Sequence, residues 1–392
     1  MKILYDLFHS QPIGGSKFHG GGEYIKTVFR YLVQNFSQTH TICAFYDKDR
    51  FLDDWLKKLI KKYNIHAFDV KSVSEVFSIL KDGQFDTFYS GLAYGYDNIG
   101  STDNVHMIGT IHGLRSLEKP QDDYSLYYIS GNIAKKVKEH IKYHIRKRAY
   151  NELQNKEIDR YRSAISHFHT IVTDSYHSEF AFQCWFPDTI KNVNLKTFYA
   201  PEKYTDFGLE FVRPEGTPEK YILLLGGNRW LKNVPRSIIA LEGLFDNGLL
   251  EDYSVVICGR LPLKINSFIR HRERYCLLDY VSPGELEYLY KNCAFFVYLS
   301  LNEGFGMPPL EAMNYGKTVV TSPVCSIPEI CGNAVYYANP YDIKEIQNRI
   351  LQAHTVKIKE DTIHQRLEYI QDKQKKDLHA LCELIVSGGV KK

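Results

Sequence analysis

Two glutamates, Glu303 and Glu311, flank a glycine-containing turn that joins an apolar strand to a helix started by two prolines. Ligands bind at the carboxyl ends of strands in open α/β sheets, and the N-terminus of a helix offers N–H groups to an anion. Because proline lacks an N–H, the donors at this turn are predicted to be the amides of Phe305, Gly306 and Met307. A plainer interpretation remains open, in which Glu303 is solvated and Glu311 only favours the helix dipole.

The elements that must hold these groups alternate in type along the chain. Short apolar runs are separated by glycine-containing loops and amphipathic helices, and the pattern restarts at residue 221. Two successive runs of strand, loop and helix predict an α/β protein with two doubly wound, Rossmann-like parallel sheets. Prolines and glycines crowd the seam at 200–218. We therefore expect a first domain over 1–203 and a second over 204–372, with a last helix over about 373–392 that packs back on the first.

Composition excludes several classes of function. The chain has 392 residues, of which 44% are hydrophobic and 24% are charged, and its formal net charge is +3. These values are ordinary for a globular protein and exclude a chain built as a whole to hold nucleic acid. The eight cysteines form no CxxC pair, so we expect buried thiols in a reducing cytosol.

The beginning of the sequence predicts a cytoplasmic protein. Residues 3–5 are apolar and follow Met1 and Lys2 directly, which is typical of a first strand rather than of a secretory leader. No apolar run approaches the roughly 18 residues that span a bilayer.

Glu303 and Glu311 stand in an E-x7-E arrangement, within EGFGMPPLEAM, and here the sequence resembles the retaining nucleotide-sugar glycosyltransferases of family 4. The resemblance implies the GT-B architecture, in which two Rossmann-like domains face each other across a cleft. Further matches follow in the family's order along most of the chain: GGGE (20–23), IHGL (111–114), VTDS (172–175), LGGNRWLKN (225–233), CGR (258–260) and SIPE (326–329).

The resemblance implies a role for each residue of the donor site. Carried over by position, Glu311 holds the ribose hydroxyls and Glu303 contacts the transferred sugar. Arg229 and Lys232, which follow Gly227, match the basic pair on the donor diphosphate. A guanidinium and an ammonium suit the negative charge that develops on a departing nucleoside diphosphate. A solvated basic loop remains the alternative for this pair.

The resemblance also implies that the first half of the chain forms the acceptor side. His112 ends a predicted strand and resembles the family's active-site histidine at the sugar, with a core histidine as the alternative. Gly113 stands where many members carry aspartate, so the resemblance implies no separate carboxylate there. The acceptor or phosphate loop is predicted from a glycine run and a strand end, namely Gly20, Gly21, Gly22, Asp174 and Ser175. The glycines either let backbone approach a ligand or form only a flexible loop, and Asp174 also suits a helix N-cap.

The function implied is retaining transfer of a hexosyl group from a nucleotide-diphosphate sugar to a saccharide or lipid-linked saccharide, in bacterial surface glycan synthesis. Mannosyl is the first guess, because EGFG-type loops are common among mannosyltransferases. No Asp-x-Asp motif lies near a strand end, so we expect neither a metal nor another cofactor. The resemblance also implies that the leaving phosphate oxygen deprotonates the acceptor. A phosphorylase or epimerase on the same fold and a non-catalytic nucleotide-sugar-binding partner are the alternatives.

Basic side chains are concentrated in residues 132–150, NIAKKVKEHIKYHIRKRAY. One helical face carries apolar residues at i, i+4 spacing, namely Ile133, Val137, Ile141, Ile145 and Ala149, and seven lysines and arginines cover the rest. One interpretation is a surface helix on an anionic membrane, with the protein peripheral on the inner face of the cytoplasmic membrane. The other is a helix that packs this stripe on the first domain, and both remain open.

Overall fold

The computed structural model describes residues 1–12, 19–96, 104–129, 131–148, 150–203 and 210–389, without the side chains of 146–151. The chain divides into two compact units, and neither is one continuous segment. The first comprises Met1–Leu114, Gln154–Tyr204 and Gln371–Lys392, and the second comprises Arg115–Leu153 and Thr205–Ile370. The expected domain border after residue 203 adjoins residues 204–209, which lie outside the described residues.

A parallel sheet of seven strands forms the centre of the first unit. Its strands are β1 (Lys2–Asp6), β2 (Thr41–Tyr46), β3 (His66–Asp69), β4 (Thr87–Ser90), β5 (His106–Ile111), β6 (Thr170–Thr173) and β7 (Asn194–Thr197). They lie in the order β3-β2-β1-β4-β5-β6-β7, and every neighbouring pair is parallel. The winding reverses between β1 and β4, which is where β1 ends in the buried Asp6.

The second unit has a parallel sheet of six strands. These are β8 (Tyr221–Leu225), β9 (Ser254–Cys258), β10 (Tyr275–Leu278), β11 (Phe295–Tyr298), β12 (Val319–Thr321) and β13 (Tyr336–Tyr337). Their order is β10-β9-β8-β11-β12-β13, again all parallel, with the reversal between β8 and β11. The apolar core includes Ile222, Val255 and Val297 on the strands and Ile238 on a covering helix, and it holds the strand ends in place.

Helices connect the strands. In the described residues the α-helices are α1 (Gly20–Phe36), α2 (Asp54–Lys62), α3 (Val73–Asp82), α4 (Arg115–Glu118), α5 (Ile133–Arg148), α6 (Tyr150–Ile165), α7 (Tyr176–Trp185), α8 (Val234–Phe245), α9 (Leu263–Asn266), α10 (Pro283–Asn292), α11 (Met307–Asn314), α12 (Ile327–Cys331), α13 (Ile343–Thr355) and α14 (Glu360–Val386). No described helix is both long enough and apolar enough to cross a bilayer.

The predicted α/β fold with two doubly wound parallel sheets is confirmed. Two local predictions are wrong. Gly20, Gly21 and Gly22 form the first turn of α1 instead of a loop, because the His19 ring accepts a hydrogen bond from the Gly22 amide and caps the helix there. The last helix begins at Glu360 rather than near residue 373, since the charged stretch before 373 continues the same helix.

Candidate functional site

The loops after β8 and β11 meet where the second sheet reverses its winding. The amide of Leu301 in the second loop donates to the carbonyl oxygen of Leu231 in the first, at 2.7 Å. The hydroxyl of Ser300 donates to the same oxygen. A crevice outside the carboxyl ends of strands at such a reversal is the usual ligand site of an open α/β sheet.

Lys232 and Glu303 form a buried ion pair across these two loops. The Lys232 Nζ lies 2.5 Å from the Glu303 Oε1, and the side chains are 13% and 8% exposed. Tyr298, at the end of β11, donates its hydroxyl to the same carboxylate oxygen at 2.7 Å. Burial acts to raise the pKa of Glu303, but attraction and hydrogen bonding from Lys232, together with hydrogen bonds from Ser300 and Tyr298, outweigh it and leave this pKa below its ordinary value. Glu303 is therefore an ionised carboxylate at neutral pH.

A pocket of about 360 Å³ in the second unit includes this lysine. Its lining residues are Arg115, Tyr128, Asn228, Arg229, Trp230, Leu231, Lys232 and Asn302. The two arginines are exposed. The pKa of Lys232 lies below its ordinary value, chiefly because the side chain is buried, while Glu303 acts to raise it. The positive charges of Arg115 and Arg229 lower it further. Three cations thus line the pocket, and Glu303 pairs with one of them, Lys232, so the lining has an excess of positive charge and suits an anion.

Tyr128 adds a neutral polar group to the pocket lining. Its hydroxyl oxygen is buried and has no hydrogen-bond partner within the described ranges. Burial raises the pKa of this phenol, so the group stays a potential donor at neutral pH. A buried hydroxyl without a partner costs free energy that a bound ligand can restore.

Two glycines let the loop after β8, which carries Arg229 and Lys232, approach the edge of the sheet closely. A Cβ on Gly227 would lie 2.3 Å from the carbonyl oxygen of Gly259, which follows β9. Gly226 has φ +81°, and a Cβ there would lie 2.5 Å from the Lys232 Cγ. Larger residues would therefore push the loop, and with it Lys232, away from its present position.

Glu311 lies on α11, whose N-cap is Gly306 at φ +97°. Tyr290 of α10 donates its hydroxyl to the Glu311 Oε2 at 2.8 Å. Tyr290 and Tyr298 both pack against Phe296, each with its ring centroid 5.5 Å away. Each glutamate of the E-x7-E motif is thus held by a buried tyrosine, and both tyrosines share one aromatic neighbour.

In the first unit, His112 and Asp174 lie together at the ends of β5 and β6. The His112 Nδ1 is 2.8 Å from the Asp174 Oδ2, and the Nε2 is 2.8 Å from the Gly91 carbonyl oxygen. Both partners are acceptors, so both hydrogen bonds form together only when the imidazole carries two protons. The structure thereby joins two residues that the sequence indicated separately.

The remaining predicted acceptor-side residues have local structural roles. Ser175 is the N-cap of α7 and accepts from the Ser178 amide, so the cap considered for Asp174 is in fact Ser175. A Cβ on Gly22 would lie 2.9 Å from the Ser10 carbonyl oxygen, which explains a glycine in this first turn.

Sequence reasoning missed four residues near the second-unit site: Arg115, Tyr128, Tyr290 and Tyr298. Arg115 directly follows the IHGL match, and that position was the one available signal for it. Tyr128 ends a short 3-10 helix, Asp123–Tyr128, which is fastened by an ion pair of 2.6 Å between Asp122 and Arg236 of α8. Among the described residues, no group of three or more His, Cys, Asp or Glu side chains is arranged to hold a metal ion.

Parts of the chain are similar in sequence to known glycosyltransferases. Residues 209–370 match the family model described as glycosyl transferases group 1. The serotype-specific mannosyltransferase WbdA of Escherichia coli is 32% identical over 146 residues, which are 35% of this chain and 18% of that protein. The O-antigen chain mannosyltransferase B of Escherichia coli is 49% identical over 76 residues, 19% of this chain and 20% of that protein. The match thus spans about a fifth of the length of each relative.

A solved structure extends the likeness of fold to the whole chain. The sucrose-phosphate synthase of Thermosynechococcus elongatus superposes with a TM-score of 0.66 at 12% identity, covering 98% of both chains. At 12% sequence identity, this similarity concerns the fold and not the activity. The segment that matches the group 1 glycosyl transferase model is the one that carries Arg229, Lys232, Glu303 and Glu311.

Proposed function

We propose that this protein is a retaining glycosyltransferase that moves a hexosyl group from a nucleotide-diphosphate sugar to a saccharide or lipid-linked saccharide. The observation that carries the proposal is the Lys232–Glu303 pair, which lies in a cationic pocket within the segment that matches group 1 glycosyl transferases. A diphosphate is an anion whose charge suits this set of groups.

The proposed donor site uses both loops of the second unit. The diphosphate lies against Arg229 and Lys232, with the backbone at Gly227 close by, and Arg115 adds a third cation. Glu311, held by Tyr290, accepts hydrogen bonds from the ribose hydroxyls. The amides at the start of α11 add donors to the phosphate side.

Glu303 is proposed to contact the transferred sugar while sharing Lys232 with the diphosphate. An incoming phosphate oxygen competes with the Glu303 carboxylate for the ammonium, so binding loosens the pair that holds the carboxylate. Because Tyr298 also donates to that oxygen, Glu303 keeps a fixed position as its bond to Lys232 weakens. The carboxylate is then free to accept from a sugar hydroxyl.

In the proposed reaction, the bond between the anomeric carbon and the diphosphate oxygen breaks. The acceptor oxygen bonds to the same face of that carbon, and its proton passes to the departing phosphate oxygen. The electron pair of the broken bond stays on the diphosphate, whose growing negative charge Arg229 and Lys232 stabilise. These protein cations carry the charge compensation, so we propose that transfer requires no metal and no other cofactor.

His112 is proposed as the catalytic histidine of the first unit, with Asp174 as its positioning residue and the backbone of the first turn of α1 on the acceptor side. Ser175 is proposed to act indirectly, as the N-cap that holds α7 beside Asp174. Asp174 fixes the orientation of the imidazole through Nδ1, and Gly91 fixes its other edge. An imidazole held in this way is suited to donate a hydrogen bond to a sugar hydroxyl when Nε2 exchanges its backbone partner.

The biological setting is proposed from the relatives. Both relatives from Escherichia coli are mannosyltransferases by name, and one is an O-antigen chain enzyme. We therefore propose mannosyl transfer in bacterial surface glycan synthesis, in the cytoplasm, as the form to test first.

The test is a donor panel on the purified protein. GDP-mannose, UDP-glucose, UDP-galactose and UDP-N-acetylglucosamine are titrated by calorimetry, and turnover is followed with and without added saccharide acceptors. One donor should bind and be consumed, and NMR of the product should give the donor's own anomeric configuration. Arg229→Ala should weaken binding of that donor about tenfold or more. Arg272→Ala, an exposed arginine of the same unit away from the pocket lining, is the matched control.

Other results would contradict the proposal in distinct ways. Inverted product excludes the retaining mechanism. Turnover that depends on inorganic phosphate indicates a phosphorylase, and a donor epimer indicates an epimerase. Binding of a nucleotide sugar without turnover under any acceptor indicates a non-catalytic binding protein.

A further inference from the structure

Helix α5 has its apolar side directed away from the protein. Ile133, Val137, Ile141 and Ile145 form one stripe, and their exposed fractions are 81%, 51%, 56% and 58%. A helix on the surface of a globular protein normally buries such a stripe against the core. The packing alternative considered from the sequence, in which this stripe lies on the first domain, is therefore wrong.

The polar side of α5 makes the contacts with the rest of the second unit. At about 100° per residue, Glu139 and Tyr143 lie on the side opposite the stripe. Both are half-buried, and the Tyr143 hydroxyl donates to the Asp123 Oδ1 at 2.6 Å. This hydrogen bond comes from the polar side of the helix, and the stripe on the opposite side is exposed to solvent.

The charges on α5 have one sign next to the stripe. Lys136 and Lys138 are exposed and lie on its two sides, close enough for their alkyl stems to extend along it. Glu139 is the one acidic residue of the segment, and it is paired with Lys142 at 2.6 Å. On α5 itself, the exposed charges that flank the stripe are therefore positive.

We propose that α5 docks on the surface of an anionic lipid bilayer, with the stripe at the level of the acyl chains and the lysines at the phosphate groups. Amphipathic helices with lysine-rich flanks bind such interfaces through apolar burial and attraction to anionic lipid together. A second copy of α5 packed on the same stripe would bring lysines against lysines, so charge complementarity favours the bilayer. This surface is separate from the pocket, and the inference does not depend on the proposed enzyme activity.

Vesicle sedimentation tests the proposal with the full chain. Vesicles of phosphatidylcholine with and without about one third phosphatidylglycerol provide the two surfaces. The wild type should bind the anionic vesicles at least about tenfold more tightly than the neutral ones, and added salt should weaken this binding. Val137→Ser combined with Ile141→Ser should reduce binding by on the order of tenfold or more. The matched control, Leu249→Ser with Leu263→Ser, removes two exposed leucines elsewhere in the same unit and should bind like the wild type.

A fluorescence experiment addresses the same helix without removing its stripe. Ile141→Trp should show a blue-shifted emission with anionic vesicles, because the indole enters a less polar environment. Equal binding of the serine variant and the wild type, an unchanged emission, or equal affinity for neutral vesicles would each overturn the proposal. It would also be overturned if light scattering showed a wild-type dimer that the serine variant dissociates, since the stripe would then be an interface between copies.

Discussion

The Lys232 ammonium and the Glu303 carboxylate are 71 residues apart in sequence and 2.5 Å apart in space. Taking both charges out of water costs free energy that their attraction only offsets, so such a pair adds little net stability compared with apolar residues. The contribution of the pair is to hold two charged groups in fixed positions. The pair fixes an ammonium and a carboxylate on two loops that are joined at the reversal of the sheet.

We expect Lys232→Ala to lower kcat by on the order of 10²-fold or more, while the KM for the donor changes much less. The diphosphate gains negative charge as its bond to the sugar breaks, and a contact that strengthens along the reaction affects kcat. Lys232→Arg should restore part of the activity, because a planar guanidinium replaces a point charge incompletely. Steady-state kinetics on folded variants decide this. A steep rise in KM at unchanged kcat would make Lys232 a docking residue.

The same pair should make stability depend on pH. The folded-state pKa of Glu303 lies below its ordinary value of 4.5, so its contribution is complete above that value and is lost as pH falls through the lowered folded pKa. Glu303→Gln leaves Lys232 buried without a charged partner and should cost about 3–5 kcal/mol at pH 7. Urea unfolding of both proteins from pH 7 to pH 3 measures the difference, which should shrink in acid. A difference that stays constant with pH would exclude the ion pair as its source.

Glu311→Gln should weaken binding of the nucleoside diphosphate by about 1.5–3 kcal/mol, since a charge-assisted hydrogen bond to ribose is lost. Tyr290→Phe removes the hydroxyl that holds Glu311 and should have a smaller effect in the same direction. Inorganic diphosphate, which has no ribose, should bind both variants as it binds the wild type.

Calorimetric titration compares these affinities. The control is Tyr315→Phe, which removes a different tyrosine–glutamate hydrogen bond, to Glu287, at the end of α11. Unchanged nucleotide affinity in folded Glu311→Gln protein would rule out the ribose assignment.

Transfer should persist in excess EDTA, because the proposed phosphate partners are protein cations. The assay compares turnover before and after chelation, with Mg²⁺ and Mn²⁺ added back in separate samples. Full loss of activity that only these ions restore would refute the metal-independent mechanism.

His112→Ala should reduce turnover by about 10²-fold, the usual scale for one oriented hydrogen-bond donor. Binding of the nucleoside diphosphate alone should stay as in the wild type, since its proposed partners all lie in the second unit. Asp174→Asn, which keeps a hydrogen-bonding group beside the imidazole, should lose less activity than His112→Ala. Equal turnover of His112→Ala and the wild type would show that His112 has only a structural role.

The strands and helices with strong periodicity could be predicted from the sequence. The apolar strands β8 and β11 and the amphipathic helix α8 lie where the pattern indicates. The short edge strands β3 and β7 are not predicted, because two of the four residues of HAFD and three of the four residues of NLKT are polar.

The residues of the candidate site also fall into a group that the sequence predicts and a group that it does not. Glu303, Glu311, Arg229 and Lys232 belong to segments with recognisable local motifs. Tyr290 has no local signal at all, because its role depends on α10 packing beside α11 so that its hydroxyl reaches Glu311. Arg115 joins the pocket only through the tertiary placement of 115–128, which the Asp122–Arg236 pair fastens. Contacts of this kind depend on distances that no single segment encodes.

Helix α14 delays completion of the first unit until the end of the chain has been translated. Its residues from Gln371 onward belong to the first unit, where Gln374 donates to the Ala200 carbonyl oxygen, Asp377 accepts from the Tyr199 amide, and Cys382 is fully buried. The seven strands of that unit are all translated by residue 197. At roughly 5–20 residues per second, the ribosome delivers the covering helix about 10–40 seconds later. During that interval the nascent first unit exposes the apolar surface that α14 will cover, and this is the period in which we expect it to depend most on chaperones.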